Sequence, residues 1–259
     1  MRSPIPLALA GLALCTPPTA WGAPARADGP DRCLAFITTN LAKGGGNWHT
    51  YYRFADTKLK VAEGDVLSYR AYLDPRNPEP KGGIDADFED GAKPLRDLGM
   101  KDELGVRAHG DGDLSAATGK WLARRIDISA AKGRTIVAWT INEEGDKDGR
   151  YTQFIDDVVV MHADGTKTVI YADGVPPARM LLGTDGYTRE PVCVAIDSSR
   201  VKDGAPLDDA IRSAEKLGQR FKSLDHARSE IDVARKFVEI GTPGNTPRGN
   251  FIMLRGFVI

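Results

Sequence analysis

The sequence predicts a mainly β protein, an antiparallel β-sandwich carrying a C-terminal helical appendage, and three observations predict it. From Tyr51 to Ser199 the apolar residues recur with period two far more often than with period 3.6. Clusters of Gly, Asp, Asn and Pro break that alternation at short intervals, as tight turns between strands require. After Ser199 the apolar spacing becomes helical.

Residues 1–27 open with Arg2, continue through an apolar stretch from Ile5 to Leu14, and end in small residues and prolines. This is the pattern of a secretory signal peptide, and its apolar run falls short of the roughly 20 residues a bilayer span needs. It predicts an exported chain, extracellular or periplasmic. In that oxidising setting Cys33 and Cys193 form an even pair, and a disulfide is expected between them, against the alternative of two buried thiols. Each lies in a strand-like run, CLAFITTN and VCVAIDSS, so the bridge would tie the first strand to the last and bound one domain at residues 31–199.

Within that domain GDVLSYRAYL places Leu67, Tyr69, Ala71 and Leu73 on one face, and GIDADFEDG alternates Ile84, Ala86 and Phe88 against Asp85, Asp87 and Glu89. RTIVAWTINEE groups Val137, Trp139 and Ile141, and KTVIYADG supplies a further short strand. Half-buried strands of this kind must cover their edges and apolar faces, which favours a sandwich over a barrel. Residues 205–240 carry a stripe at Leu207, Ala210, Ile211, Ala214, Leu217, Phe221, Leu224, Ile231, Ala234 and Val238, predicting one long helix or two shorter ones packed on the sandwich, with a protein partner as the alternative use of the stripe. Residues 241–259 read as a Pro/Gly linker and a short apolar tail.

Asp156 and Asp157 are adjacent on a predicted strand, so the pleat is expected to send one carboxyl to each face, which rules them out as an acid/base pair. No G-x-S-x-G, H-E-x-x-H or C-x-x-C occurs, and His49, His109, His162 and His226 are scattered. Gly44 to Gly46 precede no helix and make no phosphate cradle. EEGDKDGRYTQFIDD approaches an EF-hand loop but has Ile155 where a bidentate Glu is needed. A different oxygen-rich calcium loop from Asp146, Asp148 and Asp157 stands as the metal candidate, against a plain solvated hairpin turn. No cofactor is specified beyond that structural calcium.

Sugar binding calls for aromatics that stack on a pyranose face beside planar polar groups. The densest such cluster is Asn47-Trp48-His49-Thr50-Tyr51-Tyr52-Arg53, with Trp48, Tyr51 and Arg53 as candidate contacts. Trp139 reads as core, Trp121 as the anchor of a strand start, and Asp85 and Asp87 as solvent-facing. A net charge of −1 with no basic block beyond Arg124-Arg125 makes nucleic acid and anionic membrane poor partners.

GDVLSYRAYLDP, GIDADFEDGAKPLRDLGMKDELGVRAHG, GKWLARRIDISAAKGRTIVAWTINEE and GRYTQFIDDVVV, in that order, resemble the β-sandwich module at the N-terminus of glycoside hydrolase family 92 α-mannosidases and related carbohydrate-binding accessory domains. The resemblance covers roughly Trp48 to Val160. It implies a jelly-roll sandwich of galactose-binding-like type, associated with carbohydrate, in which the Ile155-Asp156-Asp157 motif is structural. It imports no catalysis, because that family's acid and base lie in a separate α-helical barrel. The expected function is a secreted, non-catalytic carbohydrate-binding module. The alternatives are a structural or protein-interaction domain using the helix, and the N-terminal fragment of a family 92 glycosidase.

Overall fold

The computed structural model describes residues 31–40, 48–91, 93–172, 180–184 and 188–219, with side chains described except at 40, 48–50, 180–184 and 188–191. The predicted signal peptide, the glycine run at 44–46 and everything after 219 lie outside the described residues. The chain is mainly β, and its sheets are antiparallel. Its strands are β1 (Arg32–Asn40), β2 (Trp48–Lys60), β3 (Val66–Leu73), β4 (Gly83–Phe88), β5 (Leu122–Asp127), β6 (Thr135–Gly145), β7 (Gly149–Met161), β8 (Lys167–Tyr171), β9 (Met180–Thr184) and β10 (Thr188–Asp197). One sheet runs β10-β1-β7-β3-β5, with β8 also paired to β7; the other runs β4-β6-β2-β9. β6 belongs to one sheet and β7 to the other, so the short 146–148 connection carries the chain between them.

One apolar cluster joins the two sheets. Leu67, Tyr69, Ala71 and Leu73 of β3 meet Ile84, Ala86 and Phe88 of β4 and Trp139 and Ile141 of β6, as the alternation predicts. Val137 is displaced from this set. The β4–β6 and β2–β6 registers slip by a residue near it, and Ile136 takes the inward place.

A second slip corrects the expectation for the acidic doublet. β3 pairs Ser68 with Val159 but Arg70 with Asp156, so β7 holds one extra residue, and Asp157 absorbs it with φ 51. Asp is among the residues that tolerate this left-handed conformation, and here the Asp156 carboxylate accepts the Asp157 N–H at 2.9 Å. The bulge resets the alternation: Ile155 and Val158 both enter the inter-sheet cluster although they are three apart. Asp156 and Asp157 are therefore not split by the pleat. Both carboxylates reach the Arg70 guanidinium, at 3.4 and 3.6 Å.

The outer face of the six-stranded sheet is covered as well. Residues 208–219 form helix α1, the described part of the predicted 205–240 segment. Leu207, Ala210, Ile211 and Ala214 pack with Cys33, Ala35, Ile37, Tyr72, Phe154, Val194 and Ile196 in a second cluster, joined at its margin by Trp121 and Leu217. A Cβ at Gly218 would lie 2.7 Å from Val192 Cγ1, so glycine lets the helix approach β10 closely. Ion pairs Arg76–Asp208 (2.7 Å) and Arg150–Glu215 (2.8 Å) flank the contact. The first half of the apolar stripe is thus buried against the chain's own sheet instead of facing a partner protein. Among the described residues, no helix is long and apolar enough to cross a membrane.

The predicted disulfide is also corrected. β1 and β10 are indeed neighbours, but their register sets Cys33 against Ile196 and Cys193 against Phe36. That odd offset sends the sulfurs to opposite faces, Cys33 to the cluster under α1 and Cys193 to the inter-sheet cluster. Both are free buried thiols, and burial pushes both thiol pKa values well up. A thiol alkylating reagent is expected to label neither in the native protein and both after denaturation without reductant, with labelling read by mass spectrometry. A Cys33–Cys193 crosslink in the non-reduced peptide map would refute this.

Candidate functional site

The residues with most chemistry to offer gather on the outer face of the four-stranded sheet. With Ile84, Ala86, Trp139 and Ile141 turned inward, alternation turns Tyr51, Arg53, Asp85, Thr140, Asn142 and Glu144 outward. Register aligns Gly83, Asn142 and Tyr51 across β4, β6 and β2, and Asp85, Thr140 and Arg53 in the next row.

Two chain segments come down onto this face. A short 3₁₀ turn, Leu95–Leu98, is anchored by buried Leu95 and ends at Gly99 with φ 70, which delivers Arg96 to Asp85. Asp85 is not solvent-facing, as its sequence position suggested, but buried. Its Oδ1 accepts the N–H groups of Ala86 (2.8 Å) and Arg96 (3.0 Å), and Oδ2 accepts from the Arg96 guanidinium at 3.1 Å. Burial pushes the Asp85 pKa up, against the pull of the Ala86 N–H and the Arg96 charge. The same guanidinium lies 5.0 Å from the centroid of the half-buried Tyr51 ring, a cation–π contact.

The second segment carries His109. Its Nδ1 is 2.6 Å from Asp111 Oδ1, and its Nε2 is 3.2 Å from Glu144 Oε2. Two glycines permit this closeness: a Cβ at Gly83 would lie 2.9 Å from the His109 carbonyl oxygen, and one at Gly110 would lie 3.0 Å from Asn142 Oδ1. The Glu144 N–H donates to the Gly110 carbonyl at 3.2 Å. Beneath the loop Asn142 is buried, and its side-chain amide has no hydrogen-bond partner among the described residues. Burial raises the Tyr51 pKa well above its ordinary value; Arg96 opposes this, while Glu144, Asp85 and Asp111 reinforce it.

This segment is held from behind by Arg124, buried at the far end of its own ion pair. Arg124 donates to Asp102 Oδ2 (2.8 Å), to the Tyr69 hydroxyl (2.5 Å) and to the carbonyls of Val106 (3.3 Å) and Arg107 (3.1 Å). Asp102 Oδ1 in turn accepts the N–H groups of Leu104 (3.0 Å) and Val106 (2.8 Å). The backbone leading into His109 is thereby pinned on both sides.

Of the residues singled out in the sequence, Tyr51 stands in the middle of this constellation. Arg53 is one row away on the same face and is engaged by Asp56. Trp48 begins β2, and its side chain lies outside the described residues. Asp146, Asp148 and Asp157 are not brought together. The N–H groups of Asp146 and Lys147 are taken by Glu79, at 2.7 and 3.1 Å, in the β6–β7 connection. Asp157 lies eight residues into β7, roughly 26 Å further along an extended strand. No group of three or more His, Cys, Asp or Glu among the described residues is placed to hold a metal. Sequence pattern does not group Asp85, Arg96, His109, Asn142 and Glu144, because four separate chain segments bring them together. No family model and no curated protein matches this chain.

Proposed function

We propose that the chain is a secreted, non-catalytic carbohydrate-binding module, a galactose-binding-like β-sandwich of the kind found beside family 92 α-mannosidases, that binds a sugar on the outer face of its four-stranded sheet. The observation that carries this is the half-buried Tyr51 ring backed by Arg96, on the same sheet face as Asp85 and Glu144. A half-buried aromatic offers a platform for a pyranose face, and the Glu144 carboxylate and Arg96 guanidinium offer an acceptor and donors for its hydroxyls. Arg53 extends the polar rim. The motifs running from Gly64 to Val160 support the same reading through their resemblance to that module. The signal-like leader supports export.

Glycan-array binding followed by titration calorimetry tests the proposal. Tyr51→Ala is expected to weaken binding of the best glycan about tenfold or more, the equivalent of one lost stacking contact of roughly 1.4 kcal/mol. Undiminished affinity in that variant would remove this face as the site, and an array without hits would remove the function.

A further inference from the structure

At the end where β6 passes into β7, the space between the sheets turns polar. The inward series Trp139, Ile141 of β6 continues to Glu143. On β7 the inward positions before Ile155 are Gln153 and Tyr151, and on β1 Leu34 and Phe36 are followed by Thr38. Glu143, Gln153 and Tyr151 are all 0% exposed, and Thr38 is 1%.

Gln153 reaches across the gap and donates from Nε2 to the Asn142 carbonyl at 2.8 Å, the peptide that leads into Glu143. Gly83 pairs with Asn142, so Gly82 stands opposite Glu143, and a Cβ on Gly82 would lie 2.7 Å from Gln153 Oε1. The Gln153 carbonyl oxygen therefore occupies the place beside Glu143 that any other residue at 82 would fill. Thr38 and Phe36 are the β1 partners of Tyr151 and Gln153. The Tyr151 hydroxyl is committed to Glu79 (3.2 Å) and the Lys147 carbonyl (2.9 Å). Both Glu143 oxygens, Gln153 Oε1 and Thr38 Oγ1 have no hydrogen-bond partner among the described residues.

A carboxylate sealed between sheets needs either a proton or a compensating charge. Here its unpaired neighbours are oxygens, the donors that hard cations take and that cannot neutralise an anion themselves. We propose that Glu143, Gln153 Oε1 and Thr38 Oγ1 form an inter-sheet site for a calcium-type cation. Glu143 is its charged ligand, and backbone carbonyls or water complete its shell. Burial alone pushes the Glu143 carboxyl well up, which a bound cation would reverse. The site lies on the opposite side of β6 from Asn142 and Glu144, so the ion would brace the sugar-facing sheet from within, and it does not depend on the sugar reading.

Metal analysis of the purified wild-type chain, with thermal unfolding in calcium, in magnesium and in chelator, tests this without relying on a variant. One calcium per chain is expected, with a midpoint raised about 5–10 °C at calcium a hundredfold above Kd and less in magnesium. Glu143→Gln should abolish the shift, while Asp148→Asn, in the β6–β7 connection, should keep it. Metal-free wild-type protein with identical unfolding in calcium and chelator overturns the site, and so does a Glu143→Gln variant that still responds to calcium.

Discussion

Arg124→Ala is expected to destabilise the protein by about 3–5 kcal/mol, the usual loss when one member of a buried ion pair is removed. The guanidinium is buried and uses its donors on Asp102, the Tyr69 hydroxyl and two carbonyls of the 106–107 segment. Alanine leaves Asp102 as a buried carboxylate without its counter-charge and removes the donors that serve the Tyr69 hydroxyl and the 106–107 carbonyls. Arg124→Lys should recover only part of the loss, because an ammonium lacks the planar fork that serves several acceptors at once. The same segment leads into His109, so the variant should also loosen the loop that carries His109 to Glu144. Urea denaturation followed by tryptophan fluorescence reads the stability; a loss below about 1 kcal/mol would show that the pair is not the clamp described.

The second large effect is a pH dependence centred on Asp156. Burial, then the neighbouring Asp157 charge, raise its pKa from 3.8 to about 7, with Arg70 pulling the other way. The folded value lies above the unfolded one, so between about pH 4 and 7 the folded chain holds a proton that the unfolded chain has released. Stability from this group is therefore greatest at acid pH and declines as pH rises toward 7, then stays level. At 1.36 kcal/mol per pKa unit the full swing is at most about 4 kcal/mol. Asp156→Asn keeps an acceptor for the Asp157 N–H and leaves Arg70 with Asp157, so it should be more stable than the parent at pH 8 and level with it near pH 4. Thermal midpoints of the two proteins across pH 4–8 give the comparison, and parallel curves would refute the assignment.

The bulge at Asp157 marks where reading the sequence by alternation stops working. From Leu67 to Leu73 and from Ile84 to Phe88 each side chain enters the core as period two dictates, because a regular pleat leaves no other choice. One inserted residue in β7 inverts the parity, and nothing in Ile155-Asp156-Asp157-Val158 announces it beyond an Asp able to adopt a positive φ. The cysteines mislead for a related reason: their strands, β1 and β10, are neighbours, but pairing register is a long-range property that spacing does not carry.

The candidate site divides along the same line. Tyr51 could be picked out because an aromatic in a polar cluster is visible locally. Asp85 was visible too, yet its burial depends on Arg96 arriving from a separate turn, and His109 reaches Glu144 only because Gly83 and Gly110 let two backbones touch.

The chain's own pattern determined its β character, the positions of most strands, the inward faces of β3 and β4 and the change to helix after Ser199. These follow from short-range geometry, in which each residue's direction is set by its immediate neighbours. Only the tertiary structure decided which strands adjoin, that the acids of β7 share Arg70, that the two thiols stay apart, and that α1 seals the outer sheet. Those outcomes depend on register and on contacts between segments far apart in the chain, where a shift of one residue reverses every side chain beyond it.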